Sequence, residues 1–313
     1  MSPENRPLFS RTPALFLCAL VSCALWGSAI PCIKLSYALF RIDTDNPGSL
    51  LLFAGLRFAL AGVLVLLAGS LMEHRPLLPQ KGNWPSIVKV SLFQTVLQYL
   101  CYYLALRYTA GVTASILVGA NTFFAIFIAA LVFRMERLTG HKLAGCAVGF
   151  AGVVLSQLGG GFQLSFSFRG EGLILLSTIS AAVSSALIRR YSAQVSPILL
   201  SGWQFFLGGL TLALAGIALG GHWGTVSPAS VGMLIYLALV SAVAYTLWGC
   251  LLKYNPVSRV TVFGFLTPVF GVLLSALLLG ESQGLGGRTL LALVLVCLGI
   301  LLVNRVQTSN RPH

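Results

Sequence analysis

The chain has 313 residues, 57% apolar and 9% charged, which excludes an ordinary soluble domain, where about a quarter of residues carry charge. Twenty basic residues stand against seven acidic ones, a formal charge of +13. The basic residues are spread thinly through long apolar runs and do not cluster with aromatics, so the excess reads as a membrane signal and no nucleic-acid partner is expected.

A bilayer core about 30 Å thick needs about 20 helical residues, and ten apolar segments approach or meet that length. The first, Pro13–Phe40, follows Arg6 and Arg11 but is too long for a signal peptide and lacks a cleavage pattern. Trp26 falls near its middle, too deep for an interfacial belt, and reads as a cavity wall. Lys34, near the outer end, either snorkels or sits at a cavity mouth. The second span, Ser49–Met72, carries Arg57 about eight residues in, roughly 12 Å below the surface. An arginine there either pairs bidentately with a substrate carboxylate, or caps neighbouring helix carbonyls or snorkels outward. In the third, Trp84–Leu106, Gln94, Gln98 and Tyr102 recur at i, i+4 and i+8 on one face, with Tyr99 beside them. The fourth, Ala110–Phe133, holds Asn121 at mid-span.

The fifth span, Gly140–Leu158, contains Gly145 and Gly149, a pair suited to a close helix contact or a dimer face. The sixth, Gly172–Ile188, is short, serine-rich and the weakest of the ten. The seventh, Pro197–Leu219, opens with Trp203 and Gln204, placed for an interfacial or a binding role. The eighth, Val231–Leu252, sets Ser241, Tyr245 and Trp248 on one face, and repeat-related polar and aromatic faces form either opposite walls of one cavity or helix–helix hydrogen bonds without substrate contact. In the ninth, Val257–Leu279, Thr267 precedes Pro268, which with Gly264 and Gly271 reads as a bend or hinge. Thr289–Val306 is the tenth. All seven cysteines lie in apolar runs and none forms a CxxC pair, while the four histidines lie in connections or at the tail, so neither disulfide, metal nor cofactor is expected.

With an even number of spans both termini share a side. Placing them in the cytoplasm puts fourteen basic residues inside and four outside, with Lys34 and Arg57 left within spans. The positive-inside rule favours that orientation, and the excess charge also suits contact with anionic lipid.

The chain repeats itself. A shift of 147 lays Phe53–Gly69 on Leu200–Gly216, pairing Gly55 with Gly202 and Arg57 with Gln204. A shift of 146 pairs Tyr99 with Tyr245 and Tyr102 with Trp248, and Asn121 with Thr267. The first and sixth spans agree at a shift of 155, where Lys34 meets Arg189. Five spans per unit is odd, so residues 13–158 and 170–306 would cross the membrane in opposite senses. Such an inverted repeat belongs to secondary transporters, with the substrate site between the halves.

These residues resemble the EamA family of the drug/metabolite transporter superfamily over nearly the whole chain. The resemblance is carried by Leu25–Lys34 (LWGSAIPCIK), Phe53–Gly62 (FAGLRFALAG), Leu106–Leu117 (LRYTAGVTASIL), Phe133–Glu136 (FRME) and Phe265–Glu281 (FLTPVF…LLLGE), ordered together in both halves. The sixth span departs, having Ser180–Arg190 (SAAVSSALIRR) where the first has its Trp-Gly and Lys signature. The resemblance implies a bacterial inner-membrane carrier with a central cavity, exporting amino acids and related metabolites.

None of the seven acidic residues lies mid-span, and no phosphate-binding GxxxxGK[ST] loop occurs. Facilitated efflux or exchange therefore suits the chain better than proton antiport or ATP drive. The two cations within spans favour an anionic or zwitterionic substrate. An exchanger of sugar phosphates or nucleotide sugars would want more such cations. A lipid-modifying enzyme would want a His/Asp/Glu constellation, and Arg134, Glu136, Arg137 and His141 read as an ordinary loop. A monomer is the expected state.

Overall fold

The computed structural model describes residues 7–105, 108–109, 111–157, 166–279 and 287–305. Arg6, Arg107, Glu281, the glycines at 159–161 and the C-terminal tail lie outside them. Within the described residues every regular element is helical: α1 Thr12–Phe40, α2 Pro47–Met72, α3 Trp84–Ser91, α4 Gln98–Ala105, α5 Gly111–Gly119, α6 Asn121–Phe127, α7 Gly140–Gln157, α8 Leu173–Tyr191, α9 Pro197–Ala218, α10 Pro228–Tyr254, α11 Val257–Thr261, α12 Leu266–Leu279 and α13 Gly287–Arg305. Seven stretches are long and apolar enough to cross a membrane, and two shorter apolar ones, Ile116–Val132 and Gly140–Ser156, accompany them.

Local sequence explains where the helices start. Proline opens α2, α9 and α10, where its missing N–H leaves nothing unsatisfied. The Asn46 side chain accepts from Gly48 N at 2.8 Å, and Ser227 with Ser230 forms a capping box ahead of α10.

Three expected spans are interrupted. The third is divided by a π-helical stretch, Leu92–Leu97, between α3 and α4. The fourth breaks at Ala120 between α5 and α6, and the ninth breaks at a 3-10 turn, Val262–Phe265, that contains Gly264. Pro268 and Gly271 lie within α12 beyond that turn. The sixth starts earlier than expected, through a π turn at Phe168–Gly172, and runs to Tyr191.

The tightest packing joins α2 to α9. In hydrocarbon, helix association depends on close contact, so small residues mark the seam. Glycines recur every seven residues on both helices, at 48, 55, 62 and 69 and at 202, 209 and 216. A Cβ on Gly55 would stand 2.3 Å from Ala213 N, and one on Gly209 would stand 2.2 Å from Ala59 N. Gly48 meets Gly216 while Gly62 meets Gly202, so the two helices run antiparallel. The same device joins α7 to α13, where Gly145 faces Gly299 and Gly152 faces Ala292. The Gly145/Gly149 pair therefore makes a contact inside the chain.

Residues matched by the sequence repeat meet their own mates in the middle of the bundle. Phe58 stacks on Phe205 at 5.4 Å with an interplanar angle of 5°, and the Tyr99 and Tyr245 hydroxyls lie 2.6 Å apart. Phe58 packs on Tyr99 as Phe205 packs on Tyr245.

The start of α1 and the end of α13 lie at one end. Arg259 donates to Asn304 Oδ1 near the end of α13 and to Thr12 Oγ1 at the start of α1. At the opposite end the 40–46 and 220–225 connections join, with Gly224 N and Thr225 N donating to Phe40 O.

Candidate functional site

A cavity of about 310 Å³ lies at the centre of the bundle, walled by α1, α2, α4, α5, α6, α8, α10 and α12 with the Leu92–Leu97 and Val262–Phe265 stretches. It gathers Trp26, Arg57, Gln94, Gln98, Tyr99, Tyr102, Asn121, Tyr245, Trp248 and Thr267, together with Ser241, Gly264 and Pro268. Lys34 and Gln204 are not on this wall, and neither is Gly271.

Helix geometry explains these exclusions. On α1 the cavity face is Trp26, Ala29 and Ile33, and Lys34 is turned about 100° from Ile33 onto an exposed face. Gln204 is fully buried on the side of α9 that meets the Leu92–Leu97 stretch, where its Oε1 accepts from Thr95 Oγ1 at 2.7 Å. Gly271 backs onto Gly27 of α1.

Arg57 is the one charged residue on the cavity wall among the described residues. It is 4% exposed, its guanidinium carbon lies 4.3 Å from the centre of the Phe58 ring, and its Nε has no hydrogen-bond partner. Among the described residues the two ion pairs are Glu73 with Arg75 and Glu136 with Lys142, so no carboxylate neutralises it. A buried, unpaired cation is costly and attracts an anion strongly in a low-dielectric site.

The rest of the wall is neutral. Trp26 makes edge contacts with Tyr245 at 4.9 Å and Trp248 at 5.0 Å. The Trp26 Nε1 and Asn121 Oδ1 atoms are buried without partners. A ligand meeting these groups would offer an acceptor to the indole and a donor to the amide oxygen.

One wall goes beyond the sequence expectation. α8 contributes Ser177, Thr178, Ala181, Ser184 and Ser185, a small polar face. Ser177 also donates to Gln98 O at 2.7 Å and Ser180 to Phe93 O at 2.7 Å, tying α8 to the carbonyls around the π-helical stretch. The serine content that weakens this segment as a span is the signal for its role as a wall. Tyr103, one helical turn beyond Tyr99 on α4, also lines the cavity beside Tyr102, a residue the sequence reading did not single out.

Trp203 Nε1 donates to Leu77 O at 2.8 Å, holding the α2–α3 connection. All seven cysteines are free thiols, and no cluster of three metal-ligating side chains occurs among the described residues.

The model of the EamA-like transporter family matches this chain twice, at residues 14–158 and 168–305. A probable amino-acid metabolite efflux pump of Escherichia coli is 28% identical over 301 residues, covering 90% of this chain and 92% of that one. An uncharacterized transporter of Archaeoglobus fulgidus is 26% identical over 289 residues, covering 90% and 95%. A solved crystal structure superposes with a TM-score of 0.77 at 21% identity, covering 96% of this chain and all of that one, which shows a shared fold.

Proposed function

The chain belongs to the EamA-like transporter family, a multi-pass membrane transporter, and we propose that it exports amino acids or related small carboxylated metabolites by alternating access. The observation that carries the substrate class is Arg57, a buried cation on the cavity wall with no carboxylate partner among the described residues. A substrate carboxylate would supply that partner through two parallel hydrogen bonds. Asn121 and the serines of α8 would receive an ammonium or hydroxyl group, and the Trp26, Tyr245 and Trp248 cluster would cover an apolar portion.

In this reading ten crossings form two inverted five-helix units. The antiparallel α2–α9 and α7–α13 seams and the self-meeting pairs Phe58/Phe205 and Tyr99/Tyr245 support that arrangement. The interrupted helices beside the cavity are of the kind that form transporter binding sites. The end bearing the termini is cytoplasmic and the membrane is the bacterial inner membrane, in keeping with the positive-inside count. The protein works as a monomer among lipids and needs no cofactor. With no acidic group on the wall among the described residues, the substrate gradient drives net movement in this reading.

A thermal-shift screen of the purified protein against amino acids, nucleosides and sugar phosphates, followed by liposome flux on the hits, tests this. Stabilisation and flux confined to carboxylated amino acids and their relatives are expected. Flux of sugar phosphates alone would overturn the substrate class.

A further inference from the structure

Toward the end where α1 begins and α13 ends, the cavity is bordered by a short segment. The Val262–Phe265 turn carries Gly264 on the cavity wall, and α11 behind it is almost wholly buried. Thr122 of α6 donates to Thr261 O at 3.0 Å, Cys23 to Phe263 O at 3.2 Å, and Phe16 meets the Phe263 ring edge-on at 5.0 Å. Opening the cavity at this end requires α11 and this turn to part from α6 and α1.

At the far end of that segment Arg259 ties α11 to Thr12 and Asn304, and a carboxylate ties it to the first half of the chain. Glu136 follows the fourth span, in the first half of the chain, while Ser258 begins α11, in the second. Glu136 Oε1 accepts from Ser258 N at 2.9 Å, and Ser258 Oγ donates to Glu136 Oε2. Lys142 Nζ stands 2.5 Å from the same Oε2 and also donates to Arg137 O at 2.9 Å. The side chains of Glu136 and Lys142 are 8% and 6% exposed, so water screens the pair little. Arg137 remains exposed, whereas Glu136, the acid of the same loop, is turned inward.

At the opposite end the helices are arranged differently. Among the described residues α5 packs chiefly on α7 and α8, and α12 on α1, whereas α6 packs on α8 and also on α11. Val118 of α5, on the cavity wall, is 40% exposed.

We propose that Glu136 is the latch of the transport cycle, a positioning residue whose bonds to Ser258 hold the cavity closed at the terminal end and must break each time it opens there. The proposal rests on the transporter reading above, and its test separates the two. Ser184, on the cavity wall, is replaced by cysteine. A charged, membrane-impermeant maleimide is then applied to either face of sealed vesicles, with the modified residue identified by peptide mapping and the terminal face identified by a tag.

With Glu136 intact, labelling is expected from the opposite face. Glu136→Gln keeps an acceptor for Ser258 N but removes the charge that holds Lys142, and labelling from the terminal face is expected to rise about tenfold relative to the other. That ratio corresponds to about 1.4 kcal/mol between the two states. Ser258→Ala, which keeps the N–H and loses the hydroxyl, shifts the ratio in the same direction by less and serves if Glu136→Gln does not fold. Glu136→Asp restores part of the original ratio. A folded Glu136→Gln protein whose ratio is unchanged overturns the latch, as does an unchanged ratio in Ser258→Ala. Liposome flux of the protein with Glu136 intact is measured separately: its absence counts against the transporter reading, while the labelling ratio alone decides the latch.

Discussion

Arg57 and Gln204 occupy matched positions in the two halves, one residue before the stacked Phe58 and Phe205, yet they do different work. Gln204 is fully buried and bonded to Thr95, and it faces away from the cavity. Arg57 lies on the cavity wall without an acidic partner among the described residues, and Ser241, the residue matched to Thr95, also lines the cavity. The α2–α9 seam therefore packs around a neutral amide on one side, so packing alone does not call for a cation on the other. On the proposed reading, the charge at Arg57 serves the cavity.

Making the two positions alike is the most direct way to break this comparison. Gln204→Arg would bury a second cation with no cavity to face, at a cost of about 3–5 kcal/mol. A melting temperature of the purified protein near that of the parent would contradict this. The reverse change, Arg57→Gln, should leave melting nearly unchanged and cut transport of a carboxylated substrate about 100-fold, near 2.7 kcal/mol. Flux in proteoliposomes reads the loss, and normal flux would make Arg57 structural.

Smaller changes sharpen the contrast. Thr95→Val removes the donor to Gln204 and leaves a buried amide oxygen unsatisfied, costing about 1–2 kcal/mol of stability with little effect on flux. Denaturation set beside flux checks that split. Tyr245→Phe removes the hydroxyl that meets Tyr99 on the cavity wall, and about 1 kcal/mol of stability with a severalfold rise in KM is expected.

Much of the wall is legible in the sequence because polar and aromatic residues at helical spacing on two matched spans stand out against an apolar background. Gln94, Gln98, Tyr102, Tyr245 and Trp248 stand out in that way, Arg57 stands out as a charge within a span, and all six meet around one cavity. Lys34 and Gln204 enter by charge and by repeat matching, neither of which fixes rotation about a helix axis. The α8 wall escapes such a reading because serine lowers hydropathy before it suggests a face. The heptad glycines are visible as letters, but their meaning lies in a partner helix whose glycines match in reverse order. Glu136 reads as an ordinary loop residue in the sequence, since its partner Ser258 is 122 residues distant.

The central claim is that Arg57 binds the carboxylate of the transported molecule. It is tested most directly by proteoliposome flux of one carboxylated substrate and its uncharged carboxamide, in the parent and in Arg57→Gln. The account predicts that the parent prefers the carboxylate by about 100-fold in kcat/KM and that Arg57→Gln abolishes the preference. An Arg57→Gln protein that keeps both its rate and its preference for the carboxylate would contradict it.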